Sequence, residues 1–195
     1  MSGRYLGIDL SSKAVDAFLL KIQKARFRQK ATAISGDFLV FDDDRKYDVV
    51  FAHGVLHHFE NPEPLFRKIT QLLVDDGILL FTEPSSINVV FRFIRAMYRP
   101  FQSDKAWEWP FTEVTVSALE RYFRPLDGFG WGRFSLFASV LTGLPLFGRG
   151  IRPVYVRLLN REIGDGWNER VWLNSTVTAA YAKRDYRADI NEAVE

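Results

Sequence analysis

Residues 47–59 read Tyr-Asp-Val-Val-Phe-Ala-His-Gly-Val-Leu-His-His-Phe, and residues 76–84 read Asp-Gly-Ile-Leu-Leu-Phe-Thr-Glu-Pro. Each contains a short apolar run with polar or turn-forming neighbours, the pattern of a strand buried in a parallel sheet. Between them, Asn61 is expected to cap a helix that starts at Pro62, where the fixed φ of proline suits the first turn. Leu65, Phe66, Ile69, Leu72 and Leu73 fall on one face of that helix. Asp75-Asp76-Gly77 is expected to stop it, with the glycine in a left-handed cap. A strand, a helix and a strand at this spacing form a crossover, which makes the two strands parallel.

The same grammar extends toward the N-terminus. Tyr5–Asp9 is a short apolar strand ending in an acid, Ser11-Ser12 can cap a helix, and Val15, Phe18, Leu19 and Ile22 recur at helical spacing. Ala31–Ser35 reads as a second strand, closed by Gly36-Asp37. Strands and helices in this order specify an α/β, doubly wound and mostly parallel sheet. Ligands of such sheets collect outside the carboxyl ends of the strands, where Asp9, His53 and Glu83 stand.

Beyond residue 85 the character changes. Ile87, Val90, Phe91, Ile94 and Met97 or Tyr98 form a broad apolar face, while Asn88, Arg92, Arg95 and Arg99 make a polar stripe at helical spacing. Ser117 to Glu120 has the spacing of a capping box and is expected to open a short helix reaching Phe123. Arg124-Pro-Leu-Asp127 makes a poor strand, so the glycine cluster Gly128-Phe-Gly-Trp-Gly132 is a weak candidate for a glycine-rich ligand loop. Val171–Tyr181 alternates and reads as a late antiparallel strand. With 195 residues, a single domain over 1–187 is expected: a core (1–85), an aromatic lid or substrate region (86–150) and a C-terminal strand region (151–187), then a frayed tail (188–195).

Composition narrows the chemistry. Hydrophobic residues make up 47% and charged residues 26%, which excludes a disordered chain. The chain has no cysteine, which removes disulfides and thiol nucleophiles. His53 and His57 lie four apart but find no third ligand at suitable spacing, so no metal is expected. A net charge of +2 is too balanced for a dedicated nucleic-acid binder. Met-Ser-Gly-Arg runs at once into a strand-like segment, so no signal segment is expected, and the longest nearly uncharged apolar run, Phe134 to Phe147, falls short of the about 20 residues of a spanning helix. A cytoplasmic protein is expected.

Four stretches in register, 5–11, 36–38, 47–59 and 76–84, resemble the class I S-adenosylmethionine-dependent methyltransferases of the small-molecule and quinone-biosynthesis type. The resemblance implies a Rossmann-like methyltransferase fold and S-adenosyl-L-methionine as cofactor. It implies that Asp9, with Leu10 beside it, accepts hydrogen bonds from the ribose hydroxyls, as a carboxylate can from two donors at once. Asp37 would stand near the adenine amine, with Phe38 beside the ring. His53 would lie beneath the methionine portion, and His57 at the substrate entrance as a general base. Glu83 is read either as a base or as a cap for the following helix.

One part of the family pattern has no counterpart. A strand and a glycine-rich loop normally precede the Asp9 strand, and eight residues cannot hold them, so the resemblance implies an N-terminally shortened methyltransferase with its first strand missing, for which an inactive chain and an active one are both open readings. Two sheet halves would then pair directly, leave a gap, or borrow a strand through a homo-oligomer joined at the open edge. The expected reaction is direct displacement onto a small, hydrophobic or lipid-linked acceptor, with peripheral membrane contact a further expectation from the aromatic region. The alternative is a degenerate, methyltransferase-like binding module without catalysis.

Overall fold

A computed structural model of the chain describes residues 3–23, 29–102, 105–142, 148–168 and 170–184. The expected frayed tail lies outside them. The chain divides into two compact units, Met1–Arg45 and Lys46–Glu195.

In the first unit, β1 (Tyr5–Asp9) pairs in parallel with β2 (Ala31–Ser35), and α1 (Ser12–Gln23) connects toward the second strand. Both strands have the boundaries that their apolar runs predict. Helix α1 buries Val15 and Ile22, two members of its apolar stripe.

The second unit is built on four strands in the order β3–β4–β6–β5. Strands β3 (Tyr47–His53) and β4 (Leu73–Pro84) are parallel, joined through α2 (Pro62–Leu72). Asn61 caps α2 by accepting a hydrogen bond from the amide of Glu63, with proline in the first turn as expected. The end of α2 departs from expectation. The helix stops at Leu72, and residues 73–84 already belong to β4, which carries a register shift opposite Tyr47 and Val49. Gly77 is not in the left-handed region. It is needed for space, because a Cβ there would lie 2.8 Å from Leu73 Cβ and 2.9 Å from the Val74 carbonyl oxygen.

The late strand β6 (Thr176–Lys183) runs antiparallel to both β4 and β5 (Phe123–Trp131). It begins later than its alternation suggests, because Val171–Leu173 form a turn of 3₁₀ helix. Strand β5 contains the residues judged poor for a strand. Its place at the sheet edge tolerates Pro125, and the pairing shifts register between Pro125 and Asp127. The glycine cluster is thus strand, not a ligand loop: a Cβ on Gly128 would meet the Thr178 carbonyl oxygen at 2.7 Å. Ahead of β5, α4 (Glu113–Tyr122) starts before the expected capping box, with Thr112 accepting from the amide of Thr115.

Helices α3 (Val89–Tyr98), α5 (Ser135–Thr142) and α6 (Gly148–Gly164) complete the second unit. Strands β1 and β3 do not pair: the two- and four-stranded sheets are separate, with β3 at one edge of the larger. Leu79, Phe81 and Tyr181 fill the core beneath β4 and β6, with Phe111 and Trp172 stacked against Phe81.

A buried carboxylate fixes the start of α5. Glu162 of α6 accepts from the backbone amides of Gly132 (2.8 Å), Phe134 (2.5 Å) and Ser135 (2.9 Å) and from the Ser135 hydroxyl (2.6 Å). Burial pushes its pKa up, but the Ser135 hydroxyl and the three amides together outweigh burial and hold it below the ordinary 4.5. The stability this group contributes is therefore complete above that ordinary value and is lost as pH falls through the lowered one. Glu162→Gln is expected to lose about 1–3 kcal/mol at neutral pH and to flatten the acid limb of a stability–pH curve measured by urea unfolding.

Candidate functional site

The sequence-predicted residues fall at the carboxyl ends of two parallel strand pairs. In the first unit, Asp9 ends β1 opposite Ser35, and the Gly36 amide donates to the Asp9 carbonyl at 3.0 Å. Asp37 follows at once, so two exposed carboxylates share one end of the pair. Each also shapes its own loop. Asp9 Oδ1 accepts from the Ser11 amide at 2.7 Å, and Asp37 Oδ1 accepts from the Leu39 amide at 2.9 Å. Leu10 is exposed, and Phe38 is half-buried.

In the second unit, His53 ends β3 beside Thr82 of β4, exposed, with its ring parallel to that of Phe51 at a centroid distance of 6.4 Å. Gly54 then takes a φ of 62°, the left-handed conformation that glycine adopts without a Cβ clash, and its amide donates to the Thr82 carbonyl. This bend aims the next three amides at the end of β4.

Their target is Glu83. Along β4, the period-two alternation that buries Leu79 and Phe81 puts Glu83 on the same inward face, with 0% exposure. Its Oε1 accepts from the amides of Val55 (2.9 Å) and Leu56 (2.8 Å). Its Oε2 takes the amide of His57 at 3.3 Å and the His57 Nδ1 at 2.6 Å. Glu83 therefore does not cap the following helix, which Asn88 caps through the Val90 amide. It is a buried anchor for the turn Leu56–His58.

His57 departs from expectation too. It is 8% exposed and held by Glu83, not standing open at an entrance. A carboxylate only accepts hydrogen bonds, so Nδ1 carries a proton and, in the neutral ring, Nε2 carries the lone pair. The neighbouring His58 ring lies 4.1 Å away, centroid to centroid, and its Nδ1 donates to the Trp107 carbonyl at 2.6 Å. From the same segment, the Trp109 amide donates to the His57 carbonyl at 2.7 Å. Residues 107–111 thus form a strap across the histidine turn, continued by the Phe111 amide bonded to the Pro84 carbonyl. Sequence reasoning missed the strap, which has no local signal. It left the role of Glu83 open, although the alternation of Leu79, Phe81 and Glu83 points to it.

The arrangement suits proton transfer: a histidine with its tautomer and ring orientation set by a carboxylate, itself fixed by backbone amides. Among the described residues, no group of three His, Cys, Asp or Glu could hold a metal ion.

Residues 2–79 match a family described as a methyltransferase domain. No curated protein matches the chain. Among solved structures, the chain is similar to the N-methyltransferase NodS from Bradyrhizobium japonicum in complex with S-adenosyl-L-homocysteine. The identity is 11% and the TM-score 0.56, over 93% of this chain and 67% of that one. A putative sarcosine dimethylglycine methyltransferase from Galdieria sulphuraria aligns at 13% identity and a TM-score of 0.60, over 94% and 78% of the two chains. The cyclopropane synthase MmaA2 from Mycobacterium tuberculosis aligns at 15% and 0.60, over 92% and 70%.

Removing the anchor tests its role. Glu83→Ala leaves the amides of Val55, Leu56 and His57 without their acceptor and is expected to destabilise the chain by about 3–5 kcal/mol. Glu83→Gln keeps acceptor capacity but can present an amide donor to His57. Nitrogen NMR of the His57 ring is expected to show the proton move from Nδ1 to Nε2 in that variant. An unchanged tautomer would mean that Glu83 does not set it. Residues 2–79 are similar to a methyltransferase domain, and the chain has the Rossmann-like α/β fold of the methyltransferases with which it aligns.

Proposed function

We propose that this chain transfers a methyl group from S-adenosyl-L-methionine to a small hydrophobic or lipid-linked acceptor by direct displacement, in the cytoplasm. The observation that carries the catalytic part is the buried Glu83–His57 pair, closed at 2.6 Å at the carboxyl end of β4. S-adenosylmethionine, when bound, supplies an electrophilic methyl group on a sulfonium.

The chain's own residues have separable tasks. Asp9 and Asp37 offer exposed carboxylate oxygens at the end of the β1–β2 pair, a donor-accepting set that fits ribose hydroxyls and an adenine amine. Leu10 and Phe38 add apolar surface beside them, and His53 stands at the end of β3 for the methionine portion. His57 takes up, at Nε2, the proton that a hydroxyl acceptor sheds on methylation. Glu83 sets the tautomer by accepting from Nδ1, which leaves the lone pair of the neutral ring on Nε2, and it stabilises the imidazolium that forms. No nucleophilic side chain is required, in keeping with a sequence that has no cysteine.

Titration calorimetry with S-adenosylhomocysteine tests the cofactor assignment. Micromolar binding by the chain, lost in Asp9→Ala, is the expected result. A folded chain that binds nothing would leave the non-catalytic binding module as the reading. With an acceptor in hand, His57→Gln is expected to lower kcat by about 10²-fold or more while leaving S-adenosylhomocysteine affinity unchanged. Equal losses in both would reduce His57 to a structural role.

A further inference from the structure

The helical layer of the second unit has a charge and surface pattern that methyl transfer does not use. Residues 84–103 and 128–161 contain neither Asp, Glu nor Lys, yet hold three and five arginines respectively. The remainder of the chain is net acidic, although the whole carries +2. Asp127, which immediately precedes the second stretch, is exposed, whereas Glu162, which immediately follows it, is turned inward onto Gly132, Phe134 and Ser135. Glu162 therefore neutralises nothing at the surface.

Apolar side chains stand out among these arginines. On α3 and just after it, Phe93 is 66% exposed, Met97 63% and Phe101 89%, and on α5 Val140 is 65% exposed. The helices form a connected layer. Phe137 of α5 stacks on Phe91 of α3 with centroids 6.3 Å apart, and α5 packs along α6. On α6 an open groove of about 600 Å³ is lined by Arg152, Pro153, Val156, Arg157 and Asn160. Arg92, Arg152 and Arg157 are exposed and make no ion pair among the described residues.

We propose that the α3–α5–α6 layer docks on an anionic lipid surface, with Phe93, Met97, Phe101 and Val140 entering the interface and the arginines meeting headgroup phosphates. Insertion of apolar rings removes them from water, and an acid-free arginine field is complementary to a negatively charged leaflet. A protein partner could take up the same apolar side chains, but arginine-bearing stretches that contain no Asp or Glu would demand an equally one-signed partner. A membrane supplies that charge at high density. No helix among the described residues is long and apolar enough to cross a bilayer, so the contact is with the surface. Arginine also gives bidentate hydrogen bonds to phosphate, which a lysine field would not.

Vesicle flotation with the whole chain tests this. Phosphatidylcholine vesicles containing roughly 30% phosphatidylglycerol are compared with pure phosphatidylcholine, with and without high salt. Flotation with the anionic vesicles alone, weakened by salt, is expected. Phe93→Ser with Met97→Ser, and separately Arg152→Glu with Arg157→Glu, are each expected to reduce binding at least about tenfold. All four side chains are exposed, so unchanged unfolding midpoints serve as the control for folding. Equal binding to both vesicle types would overturn the proposal, as would no flotation at all. Anionic binding kept by both variants would overturn the placement on this layer. No methyl donor enters the assay, so the result stands apart from the transfer reaction.

Discussion

The hydrogen bonds made by one buried carboxylate organise the histidine turn of this protein. Glu83 has no contact with water, a state that an isolated carboxylate could not sustain. It is compensated by the amides of Val55, Leu56 and His57 and by the His57 ring. That requirement explains the left-handed Gly54, the single turn at 56–58 and the inward histidine as parts of one solution. The same device recurs at Glu162, which collects three amides and a hydroxyl at the start of α5. In both places an acid in the midst of apolar sequence works as an organiser of backbone.

This shifts attention from which residues are present to what holds them. A histidine after a strand is common chemistry, but its use as a base depends on a defined tautomer. Here the definition comes from a residue on the adjacent parallel strand, placed by β-sheet alternation. The strap at 107–111 then covers the turn through backbone bonds at Trp107 and Trp109. Sheet geometry, turn geometry and a crossing segment all converge on one imidazole.

Much of the architecture was legible because its signals are local. Tyr5–Asp9 and Ala31–Ser35 are bounded by turn residues on both sides, and Asn61-Pro62 announces a helix start in two residues. The misses have physical causes. Helix α2 ended early because sheet pairing claimed Leu73, a residue that the helical stripe also wanted. Strand β5 was hidden by Pro125, which only an edge position allows. His57 was read as an open residue because nothing near it in sequence reveals an acid 26 positions away. The Asp9 and Asp37 carboxylates were easier to find, since each sits in the loop its own side chain stabilises.

The strap has a consequence for how the molecule opens. Val55, Leu56 and His57 donate to Glu83, and Trp109 donates to the His57 carbonyl, so three amides depend on one buried side chain and a fourth, from a distant segment, on the turn that it holds. A fluctuation that frees the carboxylate must release them together. These amides therefore belong to a single cooperative exchange unit, with protection set by the closing of the β4 end and not by the helices or turns in which each residue resides. The site stays shut or opens as a whole, and its histidine meets solvent on the timescale of that joint event.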